Sequence, residues 1–219
     1  MIKAVIFDMD GLMVEANSTY VNAETRLVNE YGKEYSHEIR KKYIGKRISA
    51  MLEVIIKEYE LPITLAEGEE KLRKYVKENF KKQSVALLPG CEQLIKSLSK
   101  SGKYLMAVAS SSPKEMIEIV VKRFGFKDDF SVIVSSEEVE NGKPAPDIFL
   151  KCAELLKISP NKCVVLEDAP LGIQAAKQAG MMSIAVYIKE INNPEDFLDM
   201  PDKIVSSLKD VNIEMIENL

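Results

Sequence analysis

The sequence predicts an α/β fold in which a doubly wound parallel sheet carries an inserted, all-helical domain. Three observations predict it. Short apolar runs recur along most of the chain, amphipathic stretches of helical period alternate with them, and one early segment contains only helical patterns. Apolar runs without polar alternation are typical of parallel strands buried on both faces, and strand–helix alternation indicates βαβ units.

The first predicted strand covers residues 3–8, and its centre, residues 4–7, is continuously apolar. Similar runs recur from residue 103 onward, and the strands that they predict are 104–109, 131–135, 162–166, 183–187 and 204–206. The helices predicted between them are 113–124, 147–156 and 171–179. Ser112 precedes Pro113 and is the predicted N-cap of the first of these helices. The series predicts a Rossmann-like sheet covered by helices.

The segment 15–82 interrupts this alternation, because its apolar residues recur only at helical spacing. It predicts four helices. Gly32 marks the end of the first helix and Pro62 the end of the third. Ser36 is the predicted N-cap of a short second helix that ends at Gly45.

We therefore expect two domains. Residues 1–14 and 83–219 form the α/β core, and residues 15–82 form a helical cap. The chain crosses twice between these domains, and two crossings form a hinge. A hinge is typical of modules that open and close over a site.

Composition disfavours several classes of function. The 219 residues are 46% hydrophobic and 29% charged, with a net charge of −4 and a pI near 5.3. This profile is typical of soluble globular proteins and lacks the basic surface of nucleic-acid-binding proteins. No apolar stretch approaches the roughly 20 residues that span a bilayer. Three cysteines without metal-ligand spacing predict reduced thiols. We expect a cytoplasmic monomer without nucleic-acid or membrane partners.

Polar groups follow four of the predicted strands. In chain order they are Asp8, Asp10 and Gly11, then Ser110 and Ser111, then Lys143, and then Glu167 and Asp168. In a doubly wound sheet, sites form at the carboxyl ends of the strands. We therefore expect these carboxylates, hydroxyls and one ammonium to share an edge of the sheet.

This set of groups is typical of phosphoryl transfer. The carboxylate of Asp8 can attack phosphorus and form an aspartyl-phosphate. Asp10 can protonate the leaving oxygen as a general acid and then activate water as a base. Carboxylates repel the charged phosphoryl group, so a divalent cation is needed, and hard oxygen ligands indicate Mg²⁺.

The remaining phosphoryl oxygens need donors. The side chains of Lys143 and Ser110 can hold them electrostatically. The backbone N–H groups of Gly11 and Ser111, at turns beyond the strands, can add further donors. The predicted partner of this site is a small-molecule phosphate ester.

These motifs resemble those of the haloacid dehalogenase-like (HAD) superfamily of phosphatases. The matching segments, in the family's order, are 7–11, 109–112, 142–147 and 167–172. The helical insertion lies where the β-phosphoglucomutase-like branch carries its cap. The resemblance implies that Asp8 is the nucleophile, that Asp10 is the acid and base, and that Ser110 and Lys143 bind the phosphoryl group. The Mg²⁺ ligands that it implies are the Asp8 side chain, the Asp10 backbone carbonyl, Asp168 and Glu167.

Four functions remain open at this stage. The first is a phosphatase for a small metabolite, and the second is a sugar-phosphate mutase of the β-phosphoglucomutase type. Family mutases carry a His and an Arg on the cap, where this chain has Tyr20 and Ile48, and this difference favours hydrolysis. A dehalogenase typically lacks the second motif aspartate and needs no metal, so Asp10 and Asp168 disfavour it. A non-enzymatic binding protein is disfavoured because every catalytic position is filled.

Substrate choice is predicted to lie in the cap. The candidate contacts are Glu15, Tyr20, Lys46 and Arg47. The two cations are suited to a second anionic or hydroxyl-rich group of the substrate. The hinge also departs from the family, because residues 14–16 read Val-Glu-Ala where relatives usually have Asp followed by Ser or Thr.

Overall fold

The computed structural model describes residues 1–43, 46, 48–82, 85–187, 193–197 and 200–219. The chain divides into two compact units. The core unit contains Met1–Val14 and Leu87–Leu219, and the helical unit contains Glu15–Ala86. The limits of the units lie close to those of the predicted domains. That the helical unit acts as a cap stays a prediction.

Within the described residues, the core unit contains one six-stranded sheet. Its strands are β1 Ala4–Phe7, β2 Leu105–Ser110, β3 Val132–Ser135, β4 Cys163–Glu167, β5 Met182–Val186 and β6 Lys203–Val205. Their order is β3-β2-β1-β4-β5-β6, and all neighbours are parallel. Because the chain winds outward from β1 in both directions, the sheet is doubly wound. The predicted fold class is confirmed.

The central strand β1 explains why the sequence pattern is informative. All four of its residues are fully buried, and Ala4 pairs with Leu105 on one side and Cys163 on the other. A strand covered on both faces has no polar position, so its sequence is a continuous apolar run. The carboxyl ends of β1, β2, β3 and β4 consequently lie along one edge of the sheet.

Helices cover the sheet of the core unit. They are Cys91–Ser101, Lys114–Arg123, Asp147–Leu156, Pro170–Gln178 and Ile213–Glu217. One hydrophobic cluster joins the strand residues Ile6 and Val165 to Ile148, Phe149 and Ala175 of two of these helices. The helix Cys91–Ser101 is not among the predicted elements.

The predicted N-cap of the helix Lys114–Arg123 is wrong. Pro113 occupies the N-cap position rather than Ser112. The physical reason is that Pro113 has an extended ψ of 142° and its carbonyl accepts the first backbone hydrogen bonds of the helix, from Met116 and Ile117. The Ser112 hydroxyl donates to Asp10 Oδ2, at 2.5 Å, at the polar edge of the sheet.

The helical unit contains the four predicted helices. In chain order they are α1 Asn17–Asn29, α2 His37–Arg40, α3 Ile48–Tyr59 and α4 Leu65–Lys82. Helix α4 packs against both α1 and α3. Gly32 follows α1 with a φ of 68°, and Ser36 occupies the N-cap position of α2. The predicted stop Gly45 lies outside the described residues. Among the described residues, no helix is long and apolar enough to cross a membrane.

Candidate active site

Three charged side chains form a buried ion network at the carboxyl edge of the sheet. Asp8 follows β1, Lys143 lies in the loop beyond β3, and Glu167 ends β4. The Nζ atom of Lys143 donates to Asp8 Oδ1 at 2.5 Å and to Glu167 Oε2 at 2.7 Å. Their exposed fractions are 5%, 7% and 1%, respectively. One ammonium group therefore forms ion pairs with two carboxylates that are shielded from water.

Asp168 adds a third carboxylate to this network. Carboxylate oxygens of Asp8, Glu167 and Asp168 all lie within 4.8 Å of one another, and all three residues are buried. We call these three residues the acidic cluster. Three carboxylates against one ammonium leave an excess of negative charge in a place where water cannot screen it.

Two glycines leave room for the acidic cluster. A Cβ atom on Gly11 would lie 2.2 Å from Asp168 Oδ2, and a Cβ atom on Gly172 would lie 2.0 Å from Glu167 Oε2. Gly11 also has a φ of 93°, a conformation that L side chains rarely adopt. Both residues belong to segments that the sequence singles out, but the motif gives Gly172 no role. Its role depends on a close approach that is visible only in three dimensions.

The pKa values in the cluster reflect this crowding. Burial, and then the charge of Glu167, raises the pKa of Asp8 to about 7 from an ordinary value of 3.8. Burial, together with Glu167 and Asp8, also raises the pKa of Asp168 well above its ordinary value. Burial opposes the charge of Lys143, but Asp8 and Glu167 outweigh this effect and raise its pKa. The cluster therefore lacks positive charge, and its hard oxygen ligands fit a divalent cation.

Asp10 is held by hydroxyl groups. Its Oδ2 atom accepts hydrogen bonds from Ser110 Oγ at 3.0 Å and from Ser112 Oγ at 2.5 Å. Among the described residues, its buried Oδ1 atom has no hydrogen-bond partner. Burial, and then the charge of Asp8, raises the pKa of Asp10 to about 6. A carboxylate that titrates near neutral pH is suited to giving and taking a proton.

Ser112 is the site residue that the sequence reasoning missed. The available signal was spacing, since Ser110 and Ser112, like Asp8 and Asp10, stand two residues apart where a strand ends. Because β1 and β2 are parallel neighbours, the polar groups at their carboxyl ends lie close together.

One of the two predicted backbone donors, the N–H of Gly11, has another partner in this structure. The N–H of Gly11 donates to the Val14 carbonyl at 2.9 Å. The Ser111 carbonyl accepts from Ser136 Oγ at 3.1 Å. The roles of Gly11 and Ser111 in phosphate binding stay predictions.

The remaining candidates belong to the helical unit. The Tyr20 ring packs edge-on against Phe80, with 6.3 Å between centroids. The Lys46 N–H donates to the Tyr43 carbonyl at 3.0 Å. Glu15 accepts hydrogen bonds from the backbone and hydroxyl of Ser18, at 3.2 and 2.9 Å. Arg47 lies outside the described residues. The roles of these four candidates in substrate binding stay predictions.

Comparisons with known proteins identify the family of the chain. The model of the haloacid dehalogenase-like hydrolase family matches residues 5–186. A phosphorylated carbohydrates phosphatase of Thermotoga maritima is 31% identical over 95% of this chain and 99% of that protein. A fructose-1-phosphate phosphatase of Escherichia coli is 33% identical over 84% of this chain and 96% of that protein.

A solved structure is similar over the whole chain. The β-phosphoglucomutase of Clostridium difficile has a TM-score of 0.87 and 27% identity, and the match covers 100% of this chain and 96% of that one. The family match includes β1 to β5 and the helical insertion between β1 and β2. The chain therefore belongs to the haloacid dehalogenase-like hydrolase family and is a phosphatase of that family.

Proposed function

We propose that the protein is a Mg²⁺-dependent phosphomonoester hydrolase for a small phosphorylated metabolite, a sugar phosphate or a nucleotide-like ester. The reaction proceeds through an aspartyl-phosphate on Asp8. One observation carries the proposal. Asp8 is buried between the ammonium of Lys143 and two further carboxylates. This arrangement supplies a nucleophile beside a cation and a ligand set for a second cation.

The proposed reaction has two chemical steps. In the first, a carboxylate oxygen of Asp8 attacks phosphorus, the bond from phosphorus to the leaving oxygen breaks, and Asp10 gives that oxygen a proton. In the second, water attacks the phosphoryl group, Asp10 takes the proton of the water, and inorganic phosphate leaves Asp8. A pKa of about 6 supports Asp10 both as the proton donor of the first step and as the proton acceptor of the second.

We infer that Mg²⁺ is the cation of the acidic cluster. Asp8, Glu167 and Asp168 would hold it through carboxylate oxygens, which are the ligands that Mg²⁺ prefers. When bound, the ion supplies positive charge that offsets the repulsion between the cluster and a phosphoryl group. Lys143 supplies a second positive charge, and we propose that Ser110 adds a hydroxyl donor.

The relatives support a carbohydrate ester as the substrate. The phosphatases of Thermotoga maritima and Escherichia coli described above are named for phosphorylated carbohydrates and fructose 1-phosphate. We propose that Lys46, together with Arg47, contacts a part of the substrate distant from its reacting phosphate. If so, Lys46→Ala and Arg47→Ala lower kcat/KM for the true substrate. Unchanged values would refute this assignment.

We also propose a cytoplasmic location and a monomeric state. All three cysteines are buried and free of disulfides. This state supports a reducing compartment. Size-exclusion chromatography with light scattering tests the monomer directly.

A sugar-phosphate mutase is the second candidate, because the structurally similar Clostridium difficile protein is a β-phosphoglucomutase. A mutase transfers the phosphoryl group from Asp8 to a second substrate hydroxyl and excludes water. Tyr20 and Ile48 stand where family mutases have His and Arg, and this difference supports hydrolysis. A glucose 1-phosphate isomerisation assay separates the two candidates.

The main experiment measures phosphate release from p-nitrophenyl phosphate and a panel of sugar phosphates, with Mg²⁺ or with EDTA. We expect turnover only with Mg²⁺, and we expect Asp8→Asn to abolish it without unfolding the protein. Asp129→Asn is the matched control, since Asp129 is also a shielded aspartate paired with a lysine, at 2.6 Å from Lys96. Full activity of Asp8→Asn would refute the mechanism.

A further inference from the structure

Four buried serines at the ends of β2 and β3 form hydrogen bonds that lead to Asp10, which lies beyond the end of β1. Ser110 and Ser112 lie at the end of β2, and Ser135 and Ser136 lie at the end of β3. Their exposed fractions are 0%, 3%, 0% and 2%, respectively. We call these four residues the serine network. Buried hydroxyls in a closed network have fixed partners, and so they fix the groups that they contact.

The inner part of the network contacts Asp10. Ser112 Oγ and Ser110 Oγ both donate to Asp10 Oδ2, at 2.5 and 3.0 Å. The Ser112 N–H in turn donates to Ser110 Oγ at 3.0 Å. These bonds occupy one carboxylate oxygen of Asp10 and set the orientation of the other.

The outer part of the network holds the loop that carries Ser112. Ser135 Oγ donates to the Ser112 carbonyl at 2.7 Å, and Ser136 Oγ donates to the Ser111 carbonyl at 3.1 Å. Ser135 is itself fixed, because its N–H donates to Glu138 Oε1 at 2.9 Å. A continuous path of hydrogen bonds thus runs from the end of β3 to Asp10.

The second oxygen of Asp10 indicates the purpose of this path. Oδ1 is buried and has no hydrogen-bond partner among the described residues. A buried carboxylate oxygen without a partner is unfavourable, and at the strand ends beside Asp8 this oxygen can gain a partner when substrate binds. With Oδ2 held by two hydroxyls, Oδ1 is the oxygen left to exchange a proton.

We propose that Ser112, held by Ser135, is a positioning residue that orients Asp10 for proton transfer to the leaving group. The proposal rests on the proposed function, in which Asp10 is the general acid. It differs from the helix-capping role that the sequence suggests for Ser112. It also gives Ser135, which no motif includes, a role in the reaction.

The leaving group provides a readout that a purely structural role would not move. An alkoxide from a sugar phosphate must be protonated as it leaves, and general acid catalysis contributes about 10²–10⁴-fold to such a step. p-Nitrophenolate is a stable anion and needs little protonation. The value of kcat/KM reports the first chemical step, so its ratio between the two substrates measures the acid function of Asp10.

The experiment compares kcat/KM for fructose 1-phosphate and p-nitrophenyl phosphate with Mg²⁺ present. We expect Ser112→Ala to lower the value for fructose 1-phosphate roughly 10–100-fold more than that for p-nitrophenyl phosphate. Ser135→Ala should shift the ratio in the same direction by a smaller factor. Ser112→Thr, which keeps the hydroxyl, should restore most of the ratio.

Ser183→Ala is the matched control. Ser183 is fully buried in β5, and its hydroxyl lies 3.5 Å from Asp202 Oδ2, so its truncation should leave the ratio unchanged. If thermal unfolding shows that Ser112→Ala does not fold, the ratio of kcat/KM between the two substrates in Ser135→Ala tests the proposal instead. Equal losses on both substrates, or no recovery in Ser112→Thr, would overturn the proposal. Failure of the proposed function is distinguishable, because Asp8→Asn would then retain activity.

Discussion

Each unit of the molecule contains a buried carboxylate centre, and the two centres differ in charge balance. In the helical unit, Glu24 of α1 is 1% exposed. It accepts hydrogen bonds from the hydroxyls of Tyr35 and Tyr43 at 2.6 and 2.8 Å, and Arg40 Nε lies 3.3 Å away. In the core unit, the acidic cluster has three carboxylates and the single ammonium of Lys143.

The difference shows which centre is structural. One guanidinium faces Glu24 and balances its charge, and Glu24 Oε2 accepts two hydrogen bonds from hydroxyls of its own unit, although its Oε1 has no hydrogen-bond partner among the described residues. Burial, together with Glu24, raises the pKa of Tyr35 and of Tyr43, so both hydroxyls keep their protons. The acidic cluster is charge-balanced only when something positive joins it. A balanced buried centre serves the fold, and an unbalanced one is expected where function supplies the missing charge.

The largest predicted effect comes from removing the ammonium of Lys143, which contacts two carboxylates of the acidic cluster. Lys143→Met should lower kcat/KM by at least about a thousandfold, because the nucleophile and the phosphoryl group lose their cation. It should also lower the free energy of unfolding by about 3–5 kcal/mol, since the buried Asp8 and Glu167 lose their ion-pair partner. Phosphatase assays and urea unfolding measure the two effects.

The control for this variant is Lys96→Met. Lys96 forms an equally short ion pair with Asp129, at 2.6 Å, but its side chain is 50% exposed. Its loss should cost no more than about 1 kcal/mol and leave activity unchanged. Activity of Lys143→Met within tenfold of the wild type would contradict the role given to Lys143.

The next effect comes from breaking the balanced centre. Glu24→Gln removes the charge that faces Arg40 and should lower the free energy of unfolding by about 2–4 kcal/mol. Because Arg40 supplies the positive charge of this centre, Mg²⁺ should not reduce the loss, and urea unfolding with and without Mg²⁺ tests this.

The control is Glu30→Gln, at the C-cap position of the same helix. Glu30 also accepts from a tyrosine hydroxyl and a lysine, Tyr75 and Lys71, but its side chain is 33% exposed. We expect a loss within about 1 kcal/mol. If Mg²⁺ restored the free energy of unfolding of Glu24→Gln, the proposed difference in charge balance between the two centres would be contradicted.

A smaller effect comes from adding one methyl group in each unit. A Cβ on Gly172 would lie 2.0 Å from Glu167 Cδ, whereas a Cβ on Gly68 of α4 would lie 3.3 Å from Leu52 Cδ2. Gly172→Ala must displace Glu167 and should cost about 1–3 kcal/mol together with a loss of activity.

Gly68→Ala should stay within about 1 kcal/mol of the wild type, since the gain in helix propensity offsets a mild contact. Thermal unfolding of the two variants, with phosphatase activity measured alongside, makes the comparison. Equal losses from the two alanines would mean that the space beside Glu167 is not critical.

The smallest predicted effect is the pH dependence of stabilisation by Mg²⁺. Folding raises the pKa of Asp8 to about 7 and of Asp10 to about 6 from 3.8. In the metal-free protein, the stability that this contributes is fully present below about pH 4 and is lost as the pH rises through 6 to 7. A cation that takes the place of protons acts in the opposite direction.

Mg²⁺ should therefore raise Tm by a few degrees at about pH 8, equivalent to roughly 1–2 kcal/mol, and by less at about pH 5.5. Differential scanning fluorimetry at both pH values, with Ca²⁺ and K⁺ as comparison ions, measures this. A larger shift at the lower pH would contradict a carboxylate site for the metal.

The fold was largely predictable because burial leaves a direct mark on the sequence. The six strands lie within a residue or two of their predicted positions, since strands such as Ala4–Phe7 and Cys163–Glu167 have no solvent-facing positions. The helix Cys91–Ser101 is absent from the predicted elements, although its buried residues Leu94, Ile95 and Leu98 have helical spacing.

The site was predictable to the extent that strand ends determine it. The contacts of Lys143 with Asp8 and Glu167 follow from the shared edge of the sheet. The direction in which a side chain points does not follow from sequence. Ser112 has the spacing of a helix cap but donates to Asp10. Gly172 is needed at its position because the Glu167 side chain lies against it and leaves no space for a Cβ atom.

The central position of β1 has a consequence for synthesis of the chain. Ala4 pairs with Leu105 and Cys163, so roughly a hundred residues must be made before β1 meets its first neighbour. The helices of Glu15–Ala86 pack against one another and can form on the ribosome while β1 still has no partner. A nascent chain that ends before Cys163 also lacks Glu167 and Asp168. Asp8 is made among the first residues, but the proposed site around it is complete only when the last quarter of the polypeptide emerges.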